Sequence, residues 1–232
     1  MASLNEIAYD LFSIVRPHIS DDSNIDIRQI KFWINNQRSL WLRNELNKTR
    51  SIDPDLIQTL CVELETVDAS DCCGVELGCS ILKSVKAIPD TIELHHTSSI
   101  TRVGPINKKK KPFSFVDYSR VAFLGNGRFT QNHIYSFLHD HHMYVFTKNP
   151  AYKELAVISV RGVFEDPTDV AAFNDCDSDE PCYTDDMEYP MKSWMIPQLK
   201  EAILRSNLMI QAQAEVQQVD DSNNAKSDVK QS

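Results

Sequence analysis

Several groups of residues in this chain could do chemistry. His139, His141 and His142 surround Asp140, and imidazoles held in a turn can bind metal or relay protons. No nucleophile with a local signature accompanies them, since the chain has neither G-x-S-x-G nor H-E-x-x-H. They read as an exposed polar hairpin tip. Asp175, Asp177 and Asp179 share the one-three-five spacing of a calcium loop. Glu180 stands where that loop needs glycine, Pro181 follows, and Asp186 replaces the closing glutamate. Cys72, Cys73 and Cys79, with Cys61 upstream and His95 and His96 downstream, do not form the paired C-x2-C of a structural zinc site. Gly125-Asn126-Gly127 is too short for a phosphate-binding loop. Lys108, Lys109, Lys110 and Lys111 are consecutive. They form a solvated loop tip able to touch an acidic partner or passing DNA, in contacts that salt weakens. No catalytic constellation, cofactor or metal site emerges, and the expectation is a protein that is not an enzyme.

The elements that must position these groups follow from periodicity. Ser3 with Glu6 makes a capping box for a first helix, whose apolar face is Leu4, Ile7, Ala8, Leu11, Ile14 and Val15 and which Pro17 ends. A polar turn over 20–24 leads into a long helix over 25–47, with Asp26 and Gln29 as its capping pair. Ile27, Ile30, Ile34 and Trp41 form its apolar stripe, widened by Trp33 and Leu40; Lys31, Asn35, Arg38, Ser39 and Arg43 form the other face. Tryptophan and arginine are favoured interface anchors, which nominates Trp33, Arg38, Trp41, Arg43 and the four lysines as protein-interface residues.

After Lys48 the period changes to two. Strands are expected at 60–65, 81–88 and, more weakly, 92–94 and 100–103. The segment 119–124 fits a helical turn or a strand. The segments 134–138 and 143–146 flank a turn-length connection and predict a hairpin. The β-branched run 155–164 is the most strand-like of all. An acidic irregular stretch over 166–188 carries one short helix near 170–173, and a third helix starts at Ser193. Beyond about Gln211 the chain is too polar to order itself. Strands segregated from helices give an α+β fold. Its expected parts are a helical pair (1–50), a central antiparallel β-rich body (51–165), an acidic loop with the C-terminal helix (166–210), and a disordered tail (211–232).

Composition narrows the class. With 42% hydrophobic residues over 232 positions the chain can bury a core. Its net charge of −9 argues against a dedicated nucleic-acid binder, while suiting a channel that DNA must slip through without sticking. There is no apolar run of 18 residues, so no membrane span is expected, and the N-terminus lacks the basic start of a signal peptide. Six cysteines in such a chain suggest reduced thiols in a cytoplasm.

The opening MASLNEIAYDLFSIVRPHISDDSNIDIRQIKFWINNQRSLWLRNEL resembles the start of head-to-tail connector proteins of crAss-like tailed bacteriophages. GRFTQNHIYSFLHDHHMYVF, VISVRGVFEDPTDVAAF and YPMKSWMIPQLKEAILRSNL resemble the same family in the same order. That resemblance implies a virion structural protein made in the bacterial host cytoplasm. Its copies would form a dodecameric ring at the portal–tail junction, connecting capsid to tail and enclosing the DNA channel. The implied partners are other copies of itself, the portal protein, neighbouring tail or ring proteins, and genomic DNA passing without sequence specificity. The competing classes are a host-directed regulator or soluble adaptor, and a metal-dependent hydrolase using His141 and Asp177.

Overall fold

Ser3 starts the first helix as its spacing requires. Its Oγ accepts from Glu6 N at 3.2 Å, and Glu6 Oε2 accepts from Ser3 N at 3.0 Å. The result is α1, Leu4–Val15, with Leu4, Ile7, Ala8, Leu11 and Val15 buried. This computed structural model describes residues 2–16, 25–68, 80–107, 109–124, 133–147, 155–176, 178 and 180–208. The cysteines at 72, 73 and 79, Lys108, the glycines at 125 and 127, Asp177, Asp179 and the polar tail lie outside the described residues. The second helix, α2, spans Ile27–Thr49, its first turn closed by the Asp26 carbonyl, which accepts from Gln29 N and Ile30 N.

The fold is α+β, and the chain divides into two compact units. One comprises Met1–Trp41 with Asp185–Ser232, the other Leu42–Thr184. α2 therefore contributes residues to both. In the first unit, α1 and the start of α2 are joined by a 3-10 turn at Ser193–Met195 and by α3, Ile196–Ile203, with Pro197 in its first turn. A π-helical turn, Leu204–Leu208, ends it.

The second unit is built on a seven-stranded sheet. Its strands are β1 (Gln58–Asp68), β2 (Ser80–Ser84), β3 (Ile100–Gly104), β4 (Ser114–Phe115), β5 (Tyr135–His139), β6 (His142–Phe146) and β7 (Val157–Gly162). Their order is β3-β7-β1-β2-β6-β5-β4. Every pairing is antiparallel except β4 with β5, which is parallel. A two-residue stretch carries no periodicity, so β4 is invisible in the sequence. The two outer strands also meet. Phe113, entering β4, donates its N–H to Val103 O of β3 at 2.8 Å. The close approach needs a glycine, because a Cβ on Gly104 would stand 3.2 Å from Pro112 Cα.

Other departures have physical causes. The run expected as a strand over 81–88 stops at Ser84, and Val85 is exposed. The segment 92–94 forms no strand: Thr91 makes an isolated bridge to Phe164, and Ile92 N donates to Val163 O. The segments near 119–124 and 170–173 both fold as 3-10 turns, Tyr118–Phe123 and Pro167–Ala172, each capped by an aspartate, Asp117 and Asp166. One cluster of the core gathers Ile81, Val121, Leu124, Tyr135, Phe137, Tyr144 and Phe146, with Phe137 stacked on Tyr144 at 5.3 Å between ring centres. Truncating Phe137 to Ala should cost about 3–5 kcal/mol. Urea denaturation followed by far-ultraviolet circular dichroism measures it, since Trp33, Trp41 and Trp194 all lie in the other unit.

Candidate interaction surfaces

The long helix buries Ile30 and Ile34 of its expected apolar stripe, and two polar residues with them. Asn35 and Arg38, expected on the outer face of α2, are buried, and Arg38 has no exposed surface. The reason lies in the segment that reaches them. Arg38 Nε donates to Pro190 O at 3.1 Å, the guanidinium sits 5.7 Å from the centre of the Tyr189 ring, and Tyr189 Oη donates to Asn35 Oδ1 at 2.9 Å. A buried arginine is tolerable only with such partners. The same segment is fixed to the start of the chain by a bridge between Ser3 and Glu188. At its acidic turn Lys31 Nζ meets Asp185 Oδ2 at 2.6 Å.

Other apolar side chains of the helix stay outside. Phe32 is 64% exposed and Leu40 50% exposed, eight residues apart and so close to one face of the helix. Trp33 and Trp41 are half-buried. Tyr9 on α1 and Trp194 at the entry to α3 are likewise exposed.

Arg43 belongs to the second unit, where it is exposed and reaches Glu93 Oε2 at 3.4 Å. Lys109, Lys110 and Lys111 are all exposed, but their loop is anchored. Lys109 N and Lys110 N donate to Asn107 Oδ1 and O, each at 3.0 Å, and Arg102 Nη2 donates to Lys110 O at 3.0 Å. Arg102 stands opposite Arg161 in the β3–β7 register. Cations thus cluster at one end of the sheet in a chain of net charge −9.

The histidine turn resolves into separate structural tasks. Asp140 and His141 take φ of 47° and 59°, which makes the two-residue hairpin connection tighter than the sequence suggested. His139 stacks on Tyr118 at 4.0 Å. His141 Nδ1 meets Asp90 Oδ1 at 2.8 Å. His142 Nδ1 lies 2.9 Å from Ser84 O, so that nitrogen carries the proton. The three rings diverge onto different partners. Among the described residues, no group of three or more His, Cys, Asp or Glu side chains is placed to hold a metal ion.

The reading of reduced thiols needs correction. Cys61 on β1 and Cys176 form a disulfide across a sequence separation of 115 residues. Spacing along the chain gives no hint of so distant a pairing. Chain-entropy accounting assigns closure of such a loop about 5 kcal/mol. Cys182 is free; burial pushes its thiol up, a backbone contact from Cys61 pulls the other way, and the charge of Asp175 adds to the rise.

A helical unit with exposed aromatics and a sheet unit with an exposed lysine loop both present side chains suited to contact with other proteins. The chain belongs to the phage tail ring protein 2 family of crAss-like phages, whose model matches residues 6–229. No curated protein matches it. It is accordingly a phage structural protein and virion component that assembles with other tail components. No helix among the described residues is long and apolar enough to cross a membrane.

Buried and exposed arginines should behave differently. Arg38→Ala should lower stability by about 2–4 kcal/mol, through lost stem packing and a lost charged donor. Arg43→Ala should stay within about 0.5 kcal/mol, because its ion pair is exposed. Thermal denaturation of the two variants side by side checks both.

Proposed function

We propose that copies of this chain form a ring at the portal–tail junction, joining capsid to tail around the channel through which DNA passes. The observation that carries this reading is membership of the tail ring family along nearly the whole chain. A ring needs a heterologous contact, in which one patch meets a different patch on the next copy. The helical pair within 1–50 supplies candidates in Phe32, Trp33, Leu40 and Trp41, and large exposed apolar side chains are costly unless a neighbour covers them. Arg38 acts differently in this reading, as a buried buttress that keeps those side chains facing out.

The lysine loop of the β-rich body is the second candidate, and Arg43 is an exposed cation of the same unit. Lys109, Lys110 and Lys111 are presented on an anchored loop and form no ion pair with a described residue. They suit an acidic surface on the portal or an adjoining ring. The net negative charge of the whole chain suits a channel wall from which DNA slides away. Twelve copies is the number the family resemblance implies.

Electron cryo-microscopy of purified virions should show a symmetric ring of this chain at the portal–tail junction. Its absence there, with the chain also missing from mass spectra of the same particles, would reject the connector role and favour a host-directed protein. Two sets of surface variants refine the contacts. Phe32→Asp with Leu40→Asp should leave thermal stability within a few degrees while blocking assembly. Lys109, Lys110 and Lys111 replaced together by Ser should keep the fold and weaken docking to the adjoining component, with a reduced dependence on salt.

A further inference from the structure

We propose that the Cys61–Cys176 bond is a redox-set catch, which fastens a tongue carrying residues 174–176, 178 and 180–182 to strand β1. Among the described residues, the hydrogen bonds of this tongue are internal or go to its own base. Asp175 N donates to Glu180 O and Cys182 N to Phe173 O, each at 2.8 Å. Cys176 N and Ser178 Oγ bond to the Asp175 carboxylate, and Cys182 Sγ donates to Asn174 O. An isolated bridge between Asn174 and Pro181 closes its neck.

The tongue's base is secured separately. Phe173 is buried under the Lys86 ammonium, 5.6 Å from the ring centre, and Lys86 Nζ donates to Ala172 O at 2.8 Å. Above that base, the ties to the sheet among the described residues are the disulfide and the contact of Cys182 with the Cys61 backbone. A self-contained loop held at so few points is a local unit that can open without unfolding the sheet.

The bond is also within reach of small thiols. Cys61 and Cys176 are both partly exposed and line a hollow of about 210 Å³ together with Glu63, Lys86, Val157 and Asp175. Closure is a balanced exchange with a low-molecular-weight disulfide such as oxidised glutathione. One cysteine thiolate attacks it, forming a mixed disulfide and releasing one small thiol. The second cysteine then displaces the other small thiol, and the two cysteine protons end on the two released thiols. Reduction by the same small thiol runs the steps backwards. Cys182, held as a protonated thiol by its surroundings, is a poor competitor in the exchange. This chemistry belongs to the single chain and does not depend on where a ring sits.

The test uses the purified full chain equilibrated in glutathione buffers from fully reduced to fully oxidised, then alkylated and mapped by peptide mass spectrometry, with amide exchange followed in parallel. The expected result is a Cys61–Cys176 cross-link that accumulates as the buffer is oxidised. Exchange across 174–182 should slow by about tenfold or more in the closed state, and Tm should rise by roughly 5–15 °C. Cys182→Ser should keep the cross-link. Pairing of Cys176 with any other cysteine, loss of the cross-link in Cys182→Ser, or equal exchange of the tongue in both states would overturn the proposal.

Discussion

The sheet unit depends on the length of one strand. β1 runs for 11 residues, long enough to give each of its two partners a half of its own. Its first half, from Gln58, pairs with β7, while its second half, from Leu64, pairs with β2. The register hands over at Glu63 and Leu64. Everything on one side, β7 and β3, and everything on the other, β2, β6, β5 and β4, hangs from that strand. Alternation of Leu60 and Val62 with Cys61 and Glu63 keeps the apolar row inward through the handover, and it also places Cys61 outward, where Cys176 can meet it.

Much of this was legible in the residue order. The Ser3–Glu6 box, the long second helix, the hairpin around Asp140 and the β-branched strand at β7 each carry a strong local signal, and each formed where expected. What failed to show was long-range. Helical spacing assigned Arg38 and Asn35 to water because polar residues usually face it, but residues near Tyr189 and Pro190 arrive from more than 150 positions away to satisfy them. The same blindness hid the Cys61–Cys176 bond and the two-residue strand β4. The run after Ser84 failed for a local reason: hydrophobic content alone does not supply a ladder partner, and Ile88 N instead bonds to His141 O.

The candidate surfaces follow the same logic. The lysine run was visible as charge, and its anchoring by Asn107 and Arg102 was not. Phe32 was missed because the stripe counted on α2 began from the isoleucines; the signal that could have found it is its four-residue step to Asn36 and eight-residue step to Leu40. The histidines looked chemical in sequence because they are adjacent. In the hairpin His139 and His142 are register partners and His141 sits in the turn, yet each ring is held by a different neighbour, Tyr118, Ser84 and Asp90 respectively.

The meeting of β3 with the segment entering β4 has a consequence for a protein whose copies are packed side by side. An open sheet presents a row of unsatisfied amides that can template another strand, and identical subunits at high local density are the worst case for such fibre-like growth. Here Val103 O is already occupied by Phe113 N, so at that point of the rim the chain itself takes the place a neighbour's backbone would fill.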